Sequence, residues 1–250
     1  MDGVAAGARV KHTFRATVAD VPQPGATVTL GADDGHHLIR VARRGVGDTT
    51  EVIDPDGQIW PAVVEAVGPP VQLRVGDIPR AGPAVVPIDL YIGSLDWGRF
   101  DLVVEKCTEI GILSLTMFSS ERAGRKADQQ GFDRRRERLG RLADAAAKQS
   151  GQGRRPELRG LVPFSTVIQA IPPGTGFVID ARGERTLGQA LRAAAPRRAA
   201  IVVGSDAGFS EAEIDQARHA GCAICGLGAS TLRAETAALV AVAVAADGLG

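Results

Sequence analysis

Aromatic residues are scarce: two tryptophans, one tyrosine and seven phenylalanines make up 4% of the 250 residues. That scarcity speaks against a sheet of exposed rings on which bases stack. Net charge is absent as well, since 29 Lys and Arg balance 29 Asp and Glu. A nucleic-acid surface therefore has to be a local patch rather than a property of the whole molecule. Long apolar runs are missing too. The most apolar stretch, residues 236–246, falls short of the roughly 20 residues that a membrane-spanning helix needs, so no membrane partner is expected. Three cysteines, an odd number, fit free thiols in a reducing cytoplasm better than a disulfide scaffold. Residues 1–14 lack a basic start followed by an apolar run, so no export signal is expected and a cytoplasmic location is.

What the chain does contain is enough to build a core. Hydrophobic residues are 44% and charged residues 23%, and the length suits one large domain or two modest ones. Between residues 9 and 75 the β-rich runs 27–30, 50–53 and 62–67 are separated by turn formers such as Pro24-Gly25 and Asp56-Gly57. This spacing predicts a small barrel or sandwich. Residues 37–41 carry a short apolar face suited to one or two helical turns.

A Pro-rich linker over 79–87 ends that rhythm. Beyond it, strands are expected at 85–92, 113–118, 176–180, 199–203 and 223–227. Helices are expected at 99–110, 134–148, 211–220 and 232–246. Alternation of this kind points to an α/β domain with a mainly parallel sheet.

Two loops stand out. Gly204-Ser205-Asp206-Ala207-Gly208-Phe209 follows a strand and feeds a helix that opens with Ser210 and Glu213, a capping box. Small residues at such a place let backbone amides approach a ligand at the carboxyl edge of a sheet. One helix later, Gly226-Leu227-Gly228-Ala229-Ser230-Thr231-Leu232-Arg233 runs directly into Glu235-Thr236-Ala237. Neither loop is a dinucleotide fingerprint or a P-loop. Spacing alone gives a ligand site of unknown identity.

Residues 121–159 hold twelve Lys or Arg against six acids. That stretch is either a solvated helix face laced with i,i+4 pairs or a surface for phosphates. Cys222 and Cys225, with His219 three residues before the first, mimic metal spacing. A structural zinc site needs a second ligand pair, so buried strand thiols are the better reading and no metal is expected.

The two glycine loops, taken in order, resemble the end of the RsmE family, SPOUT methyltransferases acting on N3 of a uridine in small-subunit (16S) ribosomal RNA. Four upstream segments carry the resemblance further. They are Gly35-His36-His37-Leu38-Ile39-Arg40-Val41 with Arg43 and Asp48, Lys106-Cys107-Thr108-Glu109-Ile110-Gly111-Ile112, Ser120-Glu121-Arg122 with Lys126, and Lys148-Gln149-Ser150 with Arg154 or Arg155. The chain departs from the family at Ser205, Asp206 and Ala207, where Pro, Glu and Gly are usual, and at Ser230, where Arg is usual. Thr231, Ala234 and Asp96 replace the usual Ile, Thr and Lys.

The resemblance implies an α/β fold with an N-terminal PUA-like β-barrel for RNA (1–76), followed by a SPOUT domain (77–250) that carries a C-terminal trefoil knot and dimerises. It implies S-adenosylmethionine bound by Gly204, Ser205, Gly208, Leu227, Gly228, Ser230 and Leu232. Arg233 and Glu235 become the catalytic candidates, the arginine stabilising charge on the uracil carbonyls and Glu235 orienting it or starting the last helix. His36, Arg40, Arg43, Arg122, Arg125, Lys126, Arg154 and Arg155 become candidates for contact with 16S ribosomal RNA or the small subunit. The competing expectations are a non-catalytic RNA-binding or assembly factor on the same fold, and a methyltransferase with another RNA target.

Overall fold

Apart from Asp89, apolar residues make up 86–93 and 199–203, and both runs become central strands covered on two faces, as buried parallel strands require. The computed structural model describes residues 14–123 and 128–249. They fall into two units, Met1–Gly82 and Pro83–Gly250.

In the first unit the strands are β1 (Arg15–Thr17), β2 (Thr27–Thr29), β3 (Thr49–Ile53), β4 (Gln58–Ala66), β5 (Gln72–Val75) and β6 (Arg80–Ala81). They form one sheet in the order β1-β3-β4-β5-β2, with β6 against β4. Leu38, Val52, Trp60, Val64 and Leu73 fill its core. The buried Trp60 indole donates to Asp54 at 2.9 Å, satisfying both polar groups. Helix α1 (Ala32–His36) runs on into a π-helical turn, His37–Val41. The helical segment therefore starts five residues before the expected turn, because Gly35 lets it lie against Val71.

The second unit is built on β7 (Val86–Gly93), β8 (Ile112–Ser119), β9 (Glu157–Pro163), β10 (Gly176–Ile179), β11 (Arg185–Thr186), β12 (Ala199–Val203) and β13 (Ala223–Gly226). Among the described residues these make a wholly parallel sheet in the order β11-β13-β10-β12-β7-β8-β9. Its helices are α2 (Trp97–Ile110), α3 (Gln129–Ser150), α4 (Phe164–Ala170), α5 (Leu187–Ala194), α6 (Glu211–His219) and α7 (Ala234–Leu249).

Successive side chains of a strand face opposite ways, so Ile88, Leu90 and Ile92 join one core while Tyr91 joins the other. The first core is covered by α2, α3, α5 and α7, through residues such as Phe100, Leu139, Leu191 and Val242. The second is covered by α4 and α6, around Phe118, Phe164 and Phe209. The last helix begins at Ala234, two residues later than expected. Those two residues stay in the loop, at the edge where the sheet ends. No helix among the described residues is long and apolar enough to cross a membrane.

Candidate cofactor and catalytic site

Parallel strands deliver all their carboxyl ends to one edge, and here three of them open a cavity of about 500 Å³. Its walls come from the ends of β10 and β12 and from the loop after β13. Gly204, Ser205, Gly208, Leu227, Gly228, Ser230 and Leu232, the seven residues singled out for a cofactor, all line it. Arg233 lies on the same lining, exposed at the threshold of α7. Gly228 adopts φ +115°, a conformation that side chains rarely take, so the second loop turns there on backbone freedom.

The first loop is braced on both sides. Ser210 accepts from the Glu213 amide at 3.1 Å, and Glu213 accepts from the Ser210 amide at 2.9 Å. The second carboxylate oxygen of Glu213 accepts from the Glu121 amide at 3.0 Å. The capping box thus also anchors the turn after β8, 92 residues earlier in the chain. On the other side Arg182 pairs with Asp180 through two bonds of 2.7 and 2.8 Å, and also reaches Glu211 and the Phe209 carbonyl. Burial alone would raise the Asp180 carboxyl, but the Arg182 hydrogen bonds and the Arg182 and Arg122 charges more than offset it and hold the group below its ordinary value.

Arg99, in the first turn of α2, stands among three carboxylates. It bonds Asp96, contacts Asp206 at 2.7 Å and lies 3.5 Å from Glu235. Its hydrogen bonds to Asp96 and then to Asp206 push its guanidinium above the usual arginine range. Glu235 stands in the first turn of α7, and the cation beside it is Arg99. Its neighbour Arg233 carries no hydrogen bond or ion pair on its guanidinium among the described residues. Glu235 is 8% exposed, and its Oε2 is buried without a hydrogen bond. The Ser205 hydroxyl, also buried, has no hydrogen-bond partner among the described residues.

The remaining site residues scatter. His36, Arg40 and Arg43 are exposed on or just after the α1 segment. His36 and Arg40, four apart, share one face, and Arg43 takes a left-handed φ of +51°. Arg125 and Lys126 lie outside the described residues. Arg122 is exposed close enough to act on Asp180.

On α3 and after it, most cations are already matched by acids. Arg136 pairs with Asp133, Arg138 with Asp101, Arg141 with Glu137, Arg155 with Asp144 and Arg159 with Glu157. Arg135 lies over the Trp97 ring at 4.5 Å. The solvated, paired face therefore accounts for most of the basic stretch. The exposed Arg134 and Arg154 have no side-chain partner among the described residues. Cys222 and Cys225 are buried, and desolvation pushes both thiols up to about 11, as strand-buried thiols require.

Arg99, Asp206, Arg182 and the second contact of Glu213 carry no local sequence signal of their role. Apart from Asp96 and Asp180 close by, their hydrogen-bond partners lie between 27 and 107 residues away.

Comparison with known families closes the question of class. The family model for the RNA methyltransferase domain matches residues 83–246. The chain belongs to this RNA methyltransferase family. Similar relatives include the ribosomal RNA small subunit methyltransferase E of Bacillus subtilis, 27% identical over 86% of this chain and 88% of the relative. The protein of that name in Mycobacterium tuberculosis is 26% identical over 90% and 88%. A crystal structure of ribosomal RNA small subunit methyltransferase E from Neisseria gonorrhoeae, bound to S-adenosyl methionine, shares the fold with a TM-score of 0.79. It is 23% identical and the match covers 93% of this chain and 96% of that one.

For an RNA methyltransferase, the cavity at the carboxyl ends of β10, β12 and β13 takes on a chemical meaning. A methyl donor and an RNA nucleophile have to meet at one point, and the family's matched region contains the whole lining.

Proposed function

We propose that this chain methylates N3 of a uridine in small-subunit (16S) ribosomal RNA, taking the methyl group from S-adenosylmethionine. The observation that carries this reading is the convergence of both glycine loops and Arg233 on one cavity. The names of the relatives supply the substrate class. The residues present suit the donor. The cavity volume lies within the roughly 300–1,000 Å³ of small-molecule pockets, Gly204, Gly208 and Gly228 leave backbone groups open, and the Ser205 hydroxyl lacks a hydrogen-bond partner among the described residues. These positions, with Leu227, Ser230 and Leu232, would hold it. S-adenosylmethionine supplies an electrophilic methyl group on a sulfonium.

The protein's contribution is alignment of nucleophile and methyl carbon and stabilisation of the charge that develops on the uracil oxygens. Arg233, unpaired on the rim, is suited to the second task. His36, Arg40, Arg43, Arg122, Arg125, Lys126, Arg154 and Arg155 are proposed RNA contacts, with Arg154 the least encumbered of those described in the second unit.

The first unit is read as a PUA-like RNA-binding barrel and the second as a knotted SPOUT domain. Support for the knot comes from order: β13 inserts between the earlier strands β10 and β11, and α7 then returns to pack on α2, α5, β7 and β12. At the crossing, a Cβ on Gly183 would lie 2.6 Å from the Cys225 backbone, so only glycine lets the segments pass. A homodimer through α2 and α7 is supported by the exposed Leu102 and the half-buried Val240. A cytoplasmic location follows from the ribosomal substrate.

Small subunits from cells lacking the gene, incubated with the purified protein and S-adenosylmethionine, are expected to gain 3-methyluridine by nucleoside mass spectrometry. A product methylated on ribose, or no product, overturns the assignment.

A further inference from the structure

A second cavity, of about 560 Å³, opens in the same unit and involves neither glycine loop. The starts of β10 and β13 line it, with α5 through Ala190, Ala193 and Ala194 and the end of α6 at Arg218. Strand β11 pairs with β13 only at Cys225 and Gly226. Ala223 and Ile224, which line the cavity, therefore have no strand beside them on that edge among the described residues. The charged residues of the lining are Arg182, Arg185, Arg218 and one acid, Glu184.

The three arginines differ in what they have left to give. Arg182 is committed to Asp180, Glu211 and the Phe209 carbonyl. Arg218 donates only through Nη1, to Asp215 at 3.2 Å, and both side chains are about half exposed. A surface pair of that kind is readily given up. Arg185 is exposed and has no side-chain partner among the described residues. Charge in the surrounding chain has the same sign. Residues 181–200 hold five arginines against the single acid Glu184, an excess of four in a chain with no net charge. Folding matches most of the basic stretch on α3 with acids, but it leaves Arg185, Arg192 and Arg197 exposed and unmatched.

We propose that this cavity binds a phosphodiester of the RNA strand flanking the target nucleotide, with Arg185 and Arg218 as donors, a reading that rests on the function proposed above. Guanidiniums with N–H groups to spare suit phosphate oxygens, which accept two parallel bonds from such a fork. The place is right for a flanking nucleotide because the two cavities meet at Arg182. That side chain lines the second cavity, while Asp180 and Phe209, which it holds, line the first. An RNA strand with its target base at the cofactor cavity thus has a cationic recess one side chain away. Glu184 opposes the phosphate, which fixes the sign of a further test.

Affinity of the purified protein for small ribosomal subunits, measured over a range of salt concentrations, tests the site. Arg185→Ala and Arg218→Ala are each expected to weaken binding by about 3- to 10-fold and to lower the salt slope by about 1. Glu184→Gln is expected to tighten it. Arg192→Ala is the control for charge alone, since Arg192 is equally exposed and unmatched but absent from the lining. It should change affinity by less than about twofold, because one distant charge is screened by salt. Calorimetry with S-adenosylmethionine should give values within about threefold of wild type for all four, showing that the cofactor cavity is undisturbed. Losses at Arg185 and Arg218 no larger than at Arg192, an unchanged salt slope, or weaker binding by Glu184→Gln overturns the site. A wild type that binds subunits but makes no 3-methyluridine fails the reading of function, while the affinity series still decides the site. One that does not bind subunits overturns both.

Discussion

Arg99 Nη1 lies 2.7 Å from Asp206 Oδ2, joining the first turn of α2 to the cofactor loop 107 residues further along the chain. Arg99 also faces Glu235, so removing it leaves three carboxylates without their shared cation. Arg99→Ala is expected to lower turnover by about 10- to 100-fold, or about 1.4–2.8 kcal/mol of transition-state stabilisation. Asp206→Asn should do less, because Arg99 keeps two other partners. Single-turnover kinetics on small subunits would check both. Equal losses in the two variants would show that the Arg99–Asp206 pair alone matters.

Arg233 has no internal partner to lose, so its replacement should leave the fold intact. Arg233→Ala is expected to cut the methylation rate by about 10²- to 10³-fold, the range for one donor to a developing oxyanion, while cofactor affinity is largely kept. Wild-type turnover in that variant would remove Arg233 from the mechanism.

Gly228 has open space around the position of an added Cβ, so any effect of Gly228→Ala has to come from its φ of +115°. Strain of about 1–3 kcal/mol is expected if the backbone holds, and weaker binding of S-adenosylmethionine if it relaxes. Calorimetry and thermal unfolding on the same sample separate the two. Unchanged values in both would show that the loop tolerates a side chain there.

Glu213 supports two segments at once. Glu213→Ala should cost about 1–2 kcal/mol for the cap, measured by denaturant unfolding, and it should also weaken S-adenosylmethionine binding because the 204–209 loop loses its brace. Glu213→Gln keeps one acceptor oxygen and turns an NH2 donor toward the other backbone amide, so it should recover only part of the loss.

Asp89 sits on β7, nearly buried, with Arg198 donating to both of its oxygens and Ser114 to one. Burial alone would raise its carboxyl; the Arg198 and Ser114 bonds outweigh that and lower it. The ionised form is therefore favoured by folding. Its contribution is complete above the unfolded value near about 3.9 and is lost as pH falls through the lower folded value. Asp89→Asn should unfold at a lower temperature than the wild type at pH 7, and the gap should narrow in acid. A gap that stays constant down to pH 3 would contradict this.

Much of the molecule was legible because its signals are local. Alternating or continuous apolar runs placed β7, β8, β10, β12 and β13 within about one residue. The capping box at Ser210 and Glu213 gave the start of α6. Helix α3 begins at Gln129 and not at 134, because Asp128 caps it by accepting from the Gly131 amide while the polar first turn hides the periodicity. Strand β9 and helix α4 carried no such signal, whereas α5 opens on a capping box of its own, Thr186 with Gln189, that was not among the expected helix starts. β9 mixes Glu, Arg, Gly and Pro as an edge strand paired only with β8, and α4 and α5 are short.

The sequence by itself determined the class of this protein and the seven loop residues that meet at its cavity, because glycine-rich loops after buried strands have few other uses at a sheet edge. Only the tertiary structure decided what the charges do. The basic stretch proved to be largely paired. Glu235 was placed beside Arg99, since a residue at the first turn of a helix faces whatever the sheet brings across from it. The burial of Glu235 beside Arg99 is a property of that packing, and no spacing of letters encodes it.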